Sequence, residues 1–290
     1  MLSRRDFHRL AIAALPASLA IAKPDSKIHG VQIGVQSYSF RDRSLDDAIK
    51  GMLEVGLSEC ELYSGHVEPK EERGAAGRDA LKKWRTTVSM DVFKDVRKKF
   101  KDAGILLYAY NYSFRDEFSD AEIERGFEMA HALGVTRLTA SSTVTCAHRV
   151  DPFAAKAKIY VGMHGHDSTK PNEFATPQSF EEAMKGSSKY IGINLDIGHF
   201  ISGNSTSPIP FLTKYHDRVT HIHLKDRKMN NGPNMPWGEG ETPITETLQL
   251  MQKEKWRFPG VIEMEYTVPA GSDLVTEIAK CVAFCKSALT

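Results

Sequence analysis

The chain has 290 residues and carries 38 lysines and arginines against 37 aspartates and glutamates, a formal net charge of +1. That balance excludes a protein that binds nucleic acid through a basic excess. With 41% hydrophobic and 26% charged residues, wholesale disorder is excluded as well.

The N-terminal segment 1–22 reads as an export signal rather than as part of the fold. Ser3-Arg4-Arg5-Asp6-Phe7 precedes an apolar, small-residue run from Leu10 to Ala22 that ends Ala20-Ile21-Ala22, a charged start followed by a cleavage-type ending. The S-R-R-x-F core resembles the twin-arginine signal, which sends folded and often cofactor-loaded proteins across the bacterial inner membrane. Pro16 interrupts the run, and no other stretch approaches the roughly 20 apolar residues of a membrane span. A soluble mature chain over 23–290, periplasmic or otherwise exported, is expected. Of the four cysteines, Cys281 and Cys285 sit too close along one predicted helix to bridge each other, Cys60 falls in a strand and Cys146 near a loop. No C-x-x-C occurs, so buried free thiols are expected rather than a zinc knuckle or a redox pair.

From Val31 onward short apolar runs alternate with helical patterns. Strands are predicted at 32–40, 59–63, 105–111, 137–141, 159–163, 192–196, 219–224 and 261–265. Several are near-continuous in β-branched and apolar residues, as strands covered by helices on their outer face require. Helices are predicted at 45–55, 91–103, 120–133, 152–157, 179–184, 210–215, 244–253 and 274–288. In the third of these, Ile123, Phe127 and Ala130 recur at helical spacing, Asp120 and Glu122 load the N-terminus, and Gly134 ends it. Eight strand–helix units match a single closed (β/α)8 barrel better than a doubly wound sheet. Val35-Gln36-Ser37-Tyr38 after the first strand is no phosphate loop. The segments 64–89 and 228–242, charged or rich in glycine and proline, read as loops over the barrel mouth.

In such a barrel the site lies at the C-terminal ends of the strands, and ligand-type residues collect there. Glu61 ends the second strand, His164-Gly165-His166 the fifth and Asn194-Leu195-Asp196 the sixth. His221-Ile222-His223-Leu224-Lys225-Asp226 ends the seventh, and Glu263-Met264-Glu265 the eighth. Charged or imidazole groups facing a barrel interior are costly unless paired or bound to a cation. Four strands offering one each suggest a divalent metal on His164, Asp196, His223 and Glu265; a self-satisfied hydrogen-bond network is the alternative. Two imidazoles with two carboxylates suit manganese, zinc, cobalt or iron better than calcium.

The motifs L-D-x-G-H (Leu195–His199), H-x-H-x-K-D (His221–Asp226), G-E-G (Gly238–Gly240) and I-E-x-E-Y (Ile262–Tyr266) resemble those of the xylose isomerase-like TIM barrel superfamily, whose members include sugar phosphate isomerase/epimerases, ketose 3-epimerases and inosose dehydratases. The resemblance spans the mature chain. It implies one divalent metal held by His164, Asp196, His223 and Glu265, and a substrate-hydroxyl contact at His199. It places Lys225 and Asp226 along the sugar site, with Trp237 and Glu239 on a covering loop. Gln36 and Asn111, at the ends of the first and third strands, are further candidates for sugar hydroxyls, or else structural amides.

One departure bears on chemistry. In the family's ketose epimerases the fifth-strand ligand is a glutamate that works with the eighth-strand glutamate on opposite faces of one carbon, whereas here His164 stands in its place. The base is then sought among Glu265, His166 and Lys225, the last only if desolvation lowers its pKa, with Glu61 as a further acid/base from the opposite wall. Reprotonation of the intermediate gives a sugar isomerase or epimerase; loss of a neighbouring oxygen gives a lyase or dehydratase on a keto-sugar, keto-glycoside or inosose. A non-catalytic carbohydrate-binding barrel is the reading from a different class. The expected partner is a small-molecule sugar, with no nucleic acid and no membrane span after signal cleavage; a homo-oligomer is compatible with the sequence.

Overall fold

The described chain begins with a hairpin. In this computed structural model, which describes residues 23–70 and 74–290, β1 (Lys27–Ile28) runs antiparallel to β2 (Val31–Gln36). His29 and Gly30 turn between them with positive φ of 45° and 95°. Seven more strands follow: β3 (Glu59–Tyr63), β4 (Leu106–Asn111), β5 (Arg137–Ala140), β6 (Tyr160–His164), β7 (Ile191–Asp196), β8 (Val219–Leu224) and β9 (Gly260–Ile262). From β2 to β9 each pairs in parallel with the next, and β2 pairs with β9, so eight parallel strands close into a barrel. This is the (β/α)8 architecture expected from the alternation of strand and helix patterns. The export signal expected over residues 1–22 lies outside the described residues.

The helices are α1 (Leu45–Glu54), α2 (Ala75–Thr87), α3 (Asp91–Ala103), α4 (Asp120–Leu133) and α5 (Val144–Ala157), then α6 (Pro177–Met184), α7 (Ile197–Asn204), α8 (Ile209–Tyr215), α9 (Ile244–Glu254) and α10 (Leu274–Ala288). Helix α4 shows why they form where they do. Ser119 and Glu122 make a reciprocal capping box, Gly134 closes the helix in the left-handed region at φ 76°, and Ile123, Phe127 and Ala130 are buried on one stripe. Each large apolar side chain buried in this way contributes about 1.5–3 kcal/mol. All four cysteines are buried and unbonded, and among the described residues no helix is long and apolar enough to cross a membrane.

Three local expectations are corrected. The segment 64–89, expected as a loop, contains α2, which has only Gly77 and Leu81 buried and so lacks the apolar stripe that announces a helix. Side chains hold it instead: Arg85 binds both oxygens of Glu68 at 2.8 and 2.7 Å and lies over the Tyr112 and Phe118 rings, and Arg125 reaches from α4 to the Arg85 carbonyl at 3.0 Å. Helix α5 begins eight residues before the expected Pro152, because Thr143 caps it and Val144, Cys146, Ala147 and Val150 bury its first turns. Ser37–Phe40 is a tight 3-10 turn rather than strand, with the Gln36 side-chain oxygen accepting from the Tyr38 amide at 2.6 Å.

The barrel interior is polar through much of its height. Strands β3 and β8 are not neighbours, so the contacts from Glu61 to His221 and His223, at 2.9 and 2.7 Å, cross the interior. Tyr108 on β4 likewise donates across to the Thr220 carbonyl at 2.6 Å. Buried charge is tolerated here because each group meets a partner.

Glu59, at the closed end of β3 opposite the mouth, is the exception. It is buried, its Oε1 has no hydrogen-bond partner, and burial pushes its carboxyl up to about 8 from an ordinary 4.5, with Arg137 offsetting only part of the cost. Below pH 4.5 the carboxyl is neutral folded or unfolded and costs nothing in either case. Between 4.5 and about 8 the unfolded chain releases a proton that the folded chain keeps, so stability falls as pH rises, and above that range the cost is constant. Glu59→Gln is therefore expected to raise stability near pH 9 by on the order of 2–4 kcal/mol, with the gain vanishing towards pH 4.5. Paired denaturation curves at the two pH values check this; a gain independent of pH would show that Glu59 is already ionised in the fold.

Candidate active site at the barrel mouth

Strand register brings the ligand-type residues together. His164 ends β6 opposite Asn194, and Asp196 ends β7 opposite His223 of β8. Glu263 follows directly on β9, its amide donating to the Leu224 carbonyl at 3.1 Å. His164, Asp196, His223 and Glu263 are all buried, and one ligand atom from each lies within 4.8 Å of every other. Three of these were expected; the fourth residue is Glu263 in place of Glu265. Strand β9 ends at Ile262, so side-chain alternation does not carry Glu265 to the same depth, and its side chain stays 24% exposed at the rim. Asp196 also caps α7, its Oδ1 accepting the His199 amide at 2.7 Å. That turn passes so close to β8 that a Cβ on Gly198 would stand 2.6 Å from the Lys225 carbonyl oxygen, so the glycine is required.

Lys225 lies at the centre of the negative charge. Its Nζ is 3.0 Å from Asp196 Oδ2, 2.8 Å from Glu263 Oε2 and 2.6 Å from Glu265 Oε2. Burial alone would lower its pKa, but the carboxylates of Asp196, Glu263 and Glu265 outweigh burial and push it up. It is an ammonium here and cannot be the base considered from the sequence.

Glu61 is also corrected. It does not line the cavity: it is buried in the barrel interior, and His223 and His221 overcome the cost of its burial and hold its carboxyl well below the usual range. Its Oε2 faces His223 Nε2, while Glu263 Oε2 lies 3.0 Å from Nδ1 of the same ring. Despite burial, the two carboxylates raise His223. Glu61 thus orients a histidine of the group and is out of reach of a substrate.

Above this group opens a cavity of about 350 Å³. Glu265, His166, His199, Gln36 and Asn111 line it as expected from the sequence, together with Tyr38, Tyr63, Ser113 and Ser141. The serines and Tyr63 were legible as polar residues at strand ends; Tyr38 was hidden by the strand expected over the 3-10 turn. His166 lies 4.7 Å from the His164 ring and 5.1 Å from His199, centroid to centroid, and burial with the neighbouring Lys225 lowers its pKa, so it is a neutral imidazole at pH 7. Gln36 is held by the Tyr38 amide, which fixes its side chain in place.

The remaining candidates stand outside the cavity. Asp226 turns away and accepts the amides of Gly238, Gly240 and Thr242 at 2.8, 2.9 and 3.1 Å, so it fastens the 228–242 loop. Trp237 packs edge-on against Phe284 of α10 with centroids 5.7 Å apart, and Glu239 is exposed to solvent. Missed altogether was Arg227, buried beside Asp226 and bonded to His199 Nδ1 at 2.5 Å and Asp167 Oδ2 at 2.8 Å.

Whether the four-residue group suits a cation can be judged from its own atoms. His164 Nδ1 and Asp196 Oδ2 are buried without a hydrogen-bond partner; the Lys225 contact to Asp196 is one of charge alone. Unsatisfied nitrogen and oxygen lone pairs among two imidazoles and two carboxylates are a borderline-soft donor set. The residues fit a divalent transition metal or zinc.

A family model described as xylose isomerase-like TIM barrel matches residues 71–286. The chain belongs to that family. No curated protein matches its sequence. Among solved structures, 3-keto-D-glucoside 4-epimerase from E. coli superposes with a TM-score of 0.66 at 12% identity, over 89% of this chain and 99% of that one. The probable 3-DHS dehydratase of petrobactin synthesis from Bacillus anthracis gives 0.64 at 15%, over 87% and 98%. The IOLI protein, whose structure carries a zinc atom, gives 0.63 at 16%, over 88% and 96%. These likenesses bear on the fold. Within this xylose isomerase-like barrel the Asp226 cradle is testable: a Cβ on Gly240 would fall 1.9 Å from Asp226 Oδ1, and removing the carboxylate leaves three amides unanswered. Asp226→Ala is expected to speed hydrogen exchange at Gly238, Gly240 and Thr242 by at least about 10-fold, a cost of about 1.5–3 kcal/mol, while exchange in β8 is unchanged. Unaltered exchange at the three amides would show that the loop is held by other means.

Proposed function

We propose that the chain is a metal-dependent sugar isomerase or epimerase that removes a proton from a carbon next to a carbonyl or hydroxyl. One observation carries the reading: a buried group of His164, Asp196, His223 and Glu263, with two unsatisfied ligand-type atoms, reaches through His164, His223 and Glu263 into a cavity whose wall holds Glu265 and His166. Those four residues would hold the ion, one of manganese, zinc, cobalt or iron. When bound, such an ion polarises a carbonyl or hydroxyl oxygen and acidifies the neighbouring C–H. Glu265, the rim carboxylate, is the base, and Lys225 orients it through its 2.6 Å contact. Glu265 then holds the proton and returns it, while His166, on the same wall, hydrogen-bonds the substrate. Glu61 accepts from His223 Nε2 and so orients the ring, which would leave Nδ1, facing Glu263, to the ion.

The substrate is an uncharged sugar or glycoside. Lys225 is the one permanent cation among the described residues lining the cavity, and three carboxylates already neutralise it. Tyr38 and Tyr63, edge to face at 5.0 Å, offer an apolar wall to a ring. The export signal read from the sequence agrees with a free or glycosidically linked sugar outside the cytoplasm. The E. coli neighbour is an epimerase of a 3-keto-glucoside and the B. anthracis neighbour a probable dehydratase. A second outcome, β-elimination from a keto-sugar, keto-glycoside or inosose, is favoured by His164: an imidazole there leaves Glu265, among the described residues, as the only cavity carboxylate outside the four-residue group, one base rather than two on opposite faces.

Two measurements test this. Purified protein is expected to carry about one divalent ion per chain; Asp196→Ala and Glu263→Gln are expected to lower its affinity at least about 10-fold. Glu265→Gln is expected to keep the ion and slow solvent-deuterium incorporation into keto-sugars by about 100-fold or more. Retention of the carbon skeleton and leaving group identifies the isomerase, and release of water or an aglycone identifies the lyase. A chain that holds no ion and exchanges no C–H with any keto-sugar would overturn the reading.

A further inference from the structure

Strand pairing between β2 and β9 stops at Val35 and Ile262, short of both Glu263 and Glu265. On the β8 side the Glu263 amide still reaches the Leu224 carbonyl at 3.1 Å. On the β2 side the chain has already turned into the 3-10 segment Ser37–Phe40, and side chains take over from the backbone. Ser39, fully buried, accepts the Met264 amide on its Oγ at 3.0 Å and donates to the Ile262 carbonyl at 3.3 Å. Just past the turn, Arg41 Nη1 donates to the Met264 carbonyl at 3.0 Å. The two peptide groups that join Glu263 to Glu265 are thus both held from one turn, the first by its N–H and the second by its C=O.

Met264 is itself buried, so its amide needs an acceptor inside the protein. A hydroxyl suits the place because it accepts and donates at once, and alanine at 39 would leave the amide unanswered. The bonds join a hydroxyl to backbone groups, whose protonation does not change with pH. The companion serine works toward the opposite neighbour, Ser37 Oγ accepting the Tyr63 amide at 2.8 Å at the end of β3. Because β3 and β9 flank β2 in the barrel, two serines two residues apart fasten both adjacent strand ends to one turn. Tyr38, between them, lines the cavity with Tyr63 and Glu265, while Ser39 lies behind it.

We propose that Ser39 is a positioning residue: its hydroxyl replaces the strand pairing that is missing beyond Ile262 and so sets where Glu263 and Glu265 stand. Glu263 is thereby kept at the depth of His223, whose Nδ1 lies 3.0 Å from its Oε2, and Glu265 at the rim, 2.6 Å from Lys225. A reacting group displaced by even about 1 Å loses much of its effect, so Ser39 acts on the reaction without touching substrate. The roles of the two glutamates rest on the function proposed above. The hold on the segment that carries them does not.

The test reads the hold and its consequence separately. In the full chain, hydrogen exchange resolved to single amides is expected to be slow at Met264 in the wild type. In Ser39→Ala it is expected to speed there by at least about 10-fold, with the Glu263 amide unchanged. Ser39→Cys, close in size but a weaker acceptor and donor, is expected to fall between the two. Zinc affinity, measured by competition with a chelator, is expected to drop about 10-fold or more in Ser39→Ala through Glu263. Where sugar exchange is observed, kcat is expected to drop about 10–100-fold with KM changed by less than about 3-fold. Fast exchange at Met264 in the wild type, or unaltered exchange in Ser39→Ala, overturns the proposal; the wild-type measurement decides even where the variants fold poorly. Faster exchange with zinc affinity and kcat both unchanged also overturns it, leaving Ser39 a structural residue only. Should the wild-type chain hold no ion and exchange no sugar C–H, the function proposed above fails by itself, and the Met264 amide still decides whether Ser39 holds the segment.

Discussion

An ammonium enclosed by three carboxylates organises the mouth of this barrel. Lys225, Asp196, Glu263 and Glu265 come from three segments of chain, and none could be buried so deeply without the others. The same rule extends inward, where Glu61 joins His221 and His223 across the barrel. It extends outward too, where Asp226 spends its charge on three loop amides. Apart from Glu59, these polar groups are thus linked, and the helices and outer faces of the strands are left to supply the apolar core. That division explains how the mouth can concentrate charge in a chain whose total is close to neutral.

Much of the fold was legible because its signals are local. Apolar runs marked the eight strands, and Asp120 with Glu122 and Gly134 marked α4 to the residue. The helices that escaped notice lack such signals. α2 buries little and is held by arginine contacts with distant residues, while α7 is short, glycine-containing and capped by the very aspartate that read as a ligand. A cap and a ligand draw on the same residue type, and the sequence pattern alone does not separate them.

In the site, residues on regular strand were placed well and those beyond a strand end were not. His164, Asp196 and His223 lie on β6, β7 and β8, where alternation determines the inward side. Glu263 and Glu265 share that alternation on paper, but β9 stops before either, and only depth distinguishes them. Glu61 was expected to act on a substrate because it ends a strand, yet it points across the interior to histidines distant in sequence. Long-range pairing of this kind leaves no trace in spacing. The same holds for Arg227, whose partners His199, Gly232 and Asp167 come from helix α7 and two separate loops.

The β1–β2 hairpin fixes where the chain enters the molecule. Ser26 is stitched to the Ile33 carbonyl at 2.6 Å and to Ser58 at 2.8 Å, at the end of the barrel where the strands begin. Lys23, the first described residue, therefore lies at the face opposite the cavity. A tether, tag or surface attached there would hold the molecule with its mouth turned outward, so that immobilisation through this end leaves the approach to the cavity clear.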